Sequence, residues 1–221
     1  MVSLLDIIGP VMVGPSSSHT AGACRIGLFA RSLVGGQPES AKIELHGSFA
    51  RTGSGHGTDR AIVGGLLGFY PDDERLRDSL ELAEKAGLEF SFANSKLRGE
   101  HHPNTTRISL RQGERQAVVT GSSIGAGRIV ITEIDGFPVE VTGAFPTLVF
   151  VAQDVPGIIS AVSTVLARQG DNIATMKVSR RQKGGSAIHI YELDRPVNPT
   201  ALEVIRAIPA LSMIRSIPRI A

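Results

Sequence analysis

The chain has 221 residues, 42% of them hydrophobic and 20% charged, with a formal net charge of +2 at pH 7. It is long enough for one large domain or two small ones, and its interspersed charges give no reason to expect nucleic acid or an anionic membrane as partner. No apolar run reaches transmembrane length, Asp6 interrupts the only candidate secretion signal, and the single cysteine, Cys24, excludes an internal disulfide, so the sequence reads as cytoplasmic.

An apolar stretch, Leu4 to Val13, leads into the polar run Gly14-Pro15-Ser16-Ser17-Ser18-His19-Thr20-Ala21-Gly22. Residues 21–34 then carry Cys24 and Leu28 at helical spacing and predict a helix ending before Gly35-Gly36. Residues 41–49 alternate Ile43 and Leu45 with Lys42 and Glu44, a strand pattern. Gly53 to Gly57 is a glycine-rich turn, after which Thr58-Asp59 is expected to cap a helix from Arg60 to Leu67. Residues 72–87 predict one charged amphipathic helix with Leu76, Leu80 and Ala83 inward. Strands are expected at 88–93, 105–111, 115–121, 127–134 and 137–143, with Asp135-Gly136 as a hairpin turn.

The final third changes character. Strands at 147–153, 172–180, 186–193 and 212–217 and helices at 158–169 and 199–208 follow the order strand-helix-strand-strand-helix-strand of a ferredoxin-like unit. The boundary is expected near Gly143–Pro146, which gives domains 1–145 and 146–221 and an overall α+β class.

Several segments carry more polar chemistry than a fold needs. In the first, Ser16, Ser17, Ser18 and Thr20 offer hydroxyls to a small anion, and His19 can move a proton; a helix N-cap would need only one of them. In the second, Gly47-Ser48 and the segment Thr52–Asp59 bring glycine N–H groups, His56, Thr58 and Asp59 together, with Asp59 placed to orient His56. The spacing is neither a dinucleotide fingerprint nor a P-loop. His101-His102 precede a strand as a turn, and adjacent histidines in a strand would face opposite sides, which argues against one shared metal. Gly121 to Gly127 reads as a flexible polar loop. The scattered arginines, Arg25, Arg31, Arg51, Arg60, Arg180 and Arg181, could bind phosphate or an acidic partner, but such arginines usually form solvated surface.

Taken together, residues 6–27 (DIIGPVMVGPSSSHTAGACRIG), 47–68 (GSFARTGSGHGTDRAIVGGLLG), 102–105 (HPNT) and 121–137 (GSSIGAGRIVITEIDGF), with the C-terminal unit, resemble the β chain of bacterial iron–sulfur L-serine dehydratases. The resemblance runs in one order from Asp6 nearly to the end. It implies an N-terminal α/β domain like the allosteric substrate-binding domain of phosphoglycerate dehydrogenase, followed by an ACT domain. It also implies a subunit of L-serine ammonia-lyase, whose partner α chain holds a 4Fe–4S cluster; Cys24 then packs in a helix and no metal ligand lies on this chain. The implied reaction is β-elimination of L-serine to pyruvate and ammonia, with an open iron site as Lewis acid. Under it His19 transfers a proton or orients the substrate, Ser16, Ser17, Ser18 and Thr20 grip the serine, and Ser48, His56, Thr58 and Asp59 form the opposite wall.

In ACT-type modules the turn after the first strand and the start of the second often meet across a dimer interface and bind an amino acid. Asp154, Pro156, Gly157, Asn172 and Ile173 match that pattern, so both homodimerisation and serine regulation are expectations for this module. A stand-alone amino-acid sensor without catalysis is the alternative reading of the whole chain.

Overall fold

The computed structural model describes residues 10–220; Asp6 and the apolar residues before Pro10 lie outside the described residues. The chain divides after Gly136 into two compact units.

In the first unit a π-helical turn, Ser17–Ala21, leads directly into helix α1, Gly22–Val34. Such turns are short, rare and frequent at functional sites. Gly35 closes α1 in the left-handed region at φ 96°, its N–H returning to Arg31 O. Strand β1, Ser40–Leu45, buries Ala41, Ile43 and Leu45 on one face, as the alternation predicts. Then follow α2 (Gly47–Thr52), a 3₁₀ turn (Ser54–His56), α3 (Thr58–Leu67), a second 3₁₀ turn (Glu74–Asp78) and α4 (Ser79–Lys85). Strands β2 (Glu89–Asn94), β3 (Thr105–Gln112), β4 (Arg115–Gly125) and β5 (Arg128–Ile134) complete the unit. The strands lie in the order β2-β1-β3-β4-β5, with β1 and β2 parallel and the other pairs antiparallel. Helix α1 lies on β4 and crosses α3 where Gly27 and Gly65 let the two backbones touch: a Cβ on Gly65 would stand 2.2 Å from Cys24 O.

Four local expectations are corrected. Residues 46–49 are not strand. The β1–β3 ladder ends at Leu45↔Thr106, and Gly47 turns the chain at φ 58°, packed so closely that a Cβ would meet Pro103 O at 2.5 Å. Thr58 and Asp59 do not cap α3: the helix starts at Thr58 behind Gly57 at φ 69°, and the Thr58 hydroxyl is spent on His19 O. Residues 72–87 are not one helix, because the buried Ser79 donates to Arg60 O and Asp78 breaks the helical dihedrals; Leu76 and Ala83 are nonetheless buried. Residues 121–125 are strand rather than loop, since Ser122 and Ser123 continue the β4 ladder and the Ser122 hydroxyl meets Thr105 Oγ1 at 2.6 Å. Asp135-Gly136 is the expected tight turn, with φ 50° and 76°.

The second unit begins with β6 (Phe137–Val141) and continues as β7 (Thr147–Gln153), α5 (Ile158–Arg168), β8 (Ile173–Arg180), β9 (Ser186–Leu193), α6 (Pro199–Arg206) and β10 (Leu211–Ile217). Strands β10-β7-β9-β8 pair antiparallel, the ferredoxin-like order that the element sequence predicts. Leu148, Phe150, Val162, Leu166, Tyr191 and Ile205 lie at the centre of its core. The mixed helix-and-sheet architecture is the α+β class expected. Among the described residues, no helix is long and apolar enough to cross a membrane.

Candidate functional site

The π-helical turn, α2 and the glycine-rich turn bring their polar side chains to one place. Ser16 accepts the His19 backbone N–H at 3.2 Å, and Thr20 N donates to Ser16 O, so the turn is locked by its own first residue. Thr58 Oγ1 donates to His19 O at 3.0 Å, and Thr20 Oγ1 donates to His56 O at 3.1 Å. These buried threonines tie the two histidine-bearing segments together through their backbones.

The imidazoles then meet. The His19 and His56 ring centroids are 4.9 Å apart, and Phe49 closes the other side of His19 edge-on at 5.4 Å. His19 Nε2 lies 3.2 Å from Ser48 Oγ and 3.2 Å from Thr52 Oγ1, which face it from one side of α2. Thr52 donates its hydroxyl proton to Ser48 O at 2.9 Å, so its oxygen is left to accept. His56 Nδ1 donates to Thr52 O at 2.9 Å. Thus the Thr52 carbonyl, not Asp59, fixes the His56 tautomer; Asp59 Oδ1 instead accepts the Arg60 N–H at 2.8 Å. Burial lowers the pKa of His19, and the neighbouring His56 lowers it further. A neutral imidazole against two hydroxyls can accept a proton near neutral pH.

Ser17 and Ser18 are half-buried and make no side-chain hydrogen bond among the described residues, so their hydroxyls are available to a ligand. Beside the cluster lies a cavity of about 300 Å³, bounded by Gly14, Thr20, Gly55, His56, Arg60 and Arg77. Of the residues expected from the sequence, His19, Thr20, Ser48, His56 and Thr58 come together by direct contact, with Ser16 bound into the same turn. Asp59 does not join them. Thr52 heads the glycine-rich segment singled out in the sequence, but no role was expected of it: only with residues 47–52 helical does it fall four residues from Ser48 on one face.

His101 and His102 are in the loop before β3, the first bonded to Arg98 O and the second to Asn104 N. In the second unit Asp154 Oδ2 accepts from Arg180 and from Gly184 N, while Asn172 donates to Asp194 at 2.7 Å. Asp154, Pro156 and Gly157 therefore sit at the Arg180 end of β8, and Asn172 and Ile173 at its other end, about 23 Å away along an extended strand. Within one chain the two halves of this motif do not meet.

Residues 3–134 match the family model described as serine dehydratase beta chain, and residues 147–210 match that of the ACT domain. The chain is 42% identical to the probable L-serine dehydratase, beta chain, of Bacillus subtilis over 97% of each chain. It is also 42% identical to the L-serine dehydratase, beta chain, of Peptoniphilus asaccharolyticus over 92% of each. A D-3-phosphoglycerate dehydrogenase of Synechocystis is 27% identical over 84% of this chain and 34% of that protein.

Proposed function

The chain belongs to the serine dehydratase beta chain family, and from that membership we propose that it is the β subunit of an L-serine ammonia-lyase, supplying the proton-handling half of a shared active site. The other half belongs to an α chain carrying the 4Fe–4S cluster. The residues of this chain do not suit such a cluster. Its lone thiol, Cys24, is fully buried, donates to Phe69 O at 3.1 Å, and is pushed far above the usual thiol pKa by burial. Among the described residues, no group of three histidine, cysteine or carboxylate side chains is placed to hold a metal ion.

The observation that carries the reading is the His19–His56 pair braced by Ser48 and Thr52. The chemistry removes the α-proton of L-serine and the β-hydroxyl, giving aminoacrylate and water. Aminoacrylate tautomerises to an imine, which takes up water to give pyruvate and ammonia. On this chain, His19 is the proton acceptor or relay, kept neutral by burial and by His56. The free hydroxyls of Ser17 and Ser18, with Ser16 and Thr20 at the same turn, hold the carboxylate and ammonium of the substrate. Ser48 and Thr52 fix the imidazole, His56 forms the facing wall, and Thr58 holds the His19 backbone.

We take residues 1–145 as the substrate-binding half and 146–221 as the ACT module. Separation of Asp154-Gly157 from Asn172-Ile173 supports a homodimer: antiparallel pairing of two β8 edges would bring one copy's Asp154 end to the other's Asn172 end, where serine would bind as a regulator. A single unpaired thiol suits the cytoplasm.

Co-purified α and β chains, handled without oxygen and assayed for pyruvate from L-serine, test this. Wild type is expected to turn over and His19→Gln to lose about a hundredfold or more. Near-normal turnover by His19→Gln removes His19 from the mechanism.

A further inference from the structure

A second cationic cavity, of about 660 Å³, lies at the carboxyl ends of the parallel strands β1 and β2. Its wall includes His46, Arg51, Asn94, Ser95, Lys96 and Leu97, and no carboxylate. We propose that it binds a small dianionic molecule, a phosphate monoester or a dicarboxylate, and that the occupant acts on the His19 cluster through α2.

Three observations carry the proposal. The first is place. Where neighbouring strands run parallel, their carboxyl ends open a crevice between the following loops, and open α/β sheets bind ligands there. Asn94 ends β2 and His46 follows β1, so the cavity occupies that crevice. A volume of this size suits a metabolite.

The second is charge. Arg51 and Lys96 are exposed and make no ion pair or side-chain hydrogen bond among the described residues. Arg75, Lys85 and Arg111 are each matched to a carboxylate, whereas Arg60 and Arg77, like Arg51 and Lys96, make no ion pair among the described residues. On the far side of Ser95–Leu97 a neighbouring cavity does contain carboxylates, Glu44 and Glu133, the latter 3.5 Å from Arg107. The two cavities share Ser95, Lys96 and Leu97, but the wall that carries Arg51 has no carboxylate. The Asn94 amide and Ser95 hydroxyl add neutral hydrogen-bonding groups. His46 Nδ1 lies 3.2 Å from the Leu97 N and 3.3 Å from Ser95 O, which seats the ring against the 95–97 segment. A guanidinium, an ammonium and these donors match two negative charges on one compact ligand.

The third is the helix between the two sites. Ser48 and Thr52 face His19 from one side of α2. Gly47, Ala50 and Arg51, also at helical spacing, line the cavity from the other. One short helix of six residues therefore carries both sets of side chains. An anion that draws Arg51 toward Lys96 holds α2 against the 95–97 segment, and so sets the hydroxyls that brace His19. Binding itself does not depend on the proposed lyase activity; the coupling rests on the His19 cluster and is read by its resonance rather than by turnover.

The test uses the full-length chain, titrated separately with inorganic phosphate and with malonate by calorimetry and by NMR of the histidine rings, the His19 signal being assigned with His19→Gln. At least one anion is expected to bind saturably, and Arg51→Gln/Lys96→Gln, checked for an unchanged melting temperature, to weaken it about tenfold or more. Saturation should move the His19 signal in wild type and not in that variant. Phosphate alone binding marks a phosphate site, and both binding a general dianion site. Absence of saturable binding by either overturns the proposal. So does binding that survives Arg51→Gln/Lys96→Gln but is lost in Arg60→Gln/Arg77→Gln, because the anion then occupies the cavity beside His56. A variant that binds no anion differently yet fails to associate with the α chain makes these cations a protein-docking patch, and an unmoved His19 signal removes the coupling.

Discussion

His19 and His56 come from separate segments, yet their rings lie 4.9 Å apart and inclined by 37°. Burial is the larger cause of the lowered His19 pKa, and His56 the second. The His19 ring should therefore titrate below 6.5 by NMR in the wild-type chain. His56→Gln should raise that value without restoring 6.5, because burial remains. The unfolded chain takes up this proton at a higher pH than the folded one, so the His19 contribution to stability is lost as pH falls below 6.5. A wild-type value at or above 6.5 would contradict the neutral role given to this imidazole.

Thr52 touches both imidazoles, through its hydroxyl to His19 and through its carbonyl to His56. Thr52→Val keeps the carbonyl and the shape but removes the hydroxyl. With the α chain present, kcat should fall about tenfold, the equivalent of one hydrogen bond at a positioned group, with KM little changed. Thr52→Ser should recover most of it. A merely structural role would leave the pH profile in place; a positioning role moves its acidic limb. An unshifted profile in Thr52→Val would rule positioning out.

The legible parts of this sequence were those where one local rule dominates. Period-2 alternation found β1, the glycines at 35, 57 and 157 marked real left-handed positions, and the element order of the second unit predicted its sheet. The errors share one cause. At 46–49, at 58–59 and at 121–125 a distant segment decided the structure: Pro103 against Gly47, His19 O against Thr58, and Thr105 against Ser122. No local pattern reports such contacts. For the site, hydroxyls and histidines were visible by type, but their partners were not. Asp59 looked like the tautomer-fixing group because it is near His56 in sequence, whereas a backbone carbonyl four residues upstream fills that role.

The α1–α3 crossing depends on Gly65. A Cβ there would approach Cys24 O to 2.2 Å and Leu28 N to 2.8 Å, both backbone atoms that cannot rotate away. Gly65→Ala should destabilise the chain by about 1–3 kcal/mol, read as a lower urea midpoint. Gly55→Ala is the control, since its Cβ would meet nothing within 4 Å and its backbone is not left-handed. Equal midpoints for the two variants would disprove close packing at the crossing.

Strand β8 exposes Met176 and Val178, at 45% and 42%, on an open sheet edge. An uncovered apolar edge is a ready template for strand addition. The wild-type chain should be dimeric by light scattering, and Met176→Lys should shift it toward monomer while its far-ultraviolet circular dichroism stays the same. A monomeric wild type, or a variant that remains dimeric, would take β8 out of the assembly.

His189 is 4% exposed and stacks on Phe150 at 4.4 Å and 8°; burial pushes its pKa down to about 4, against the smaller opposing effect of Asp154. Its Nδ1 has no hydrogen-bond partner among the described residues. The folded chain thus refuses a proton that the unfolded chain accepts throughout the interval from 6.5 down to about 4. Stability from this residue is whole above 6.5 and should fall by about 2 kcal/mol on acidification to about pH 5. His189→Phe offers an apolar ring of similar size to the same stack and gives up no hydrogen bond at Nδ1. It should match wild type near pH 7 and lose less on acidification, in urea unfolding followed at both pH values. If variant and wild type lose stability in parallel, His189 is protonated in the folded chain and the stack does not exclude the charge.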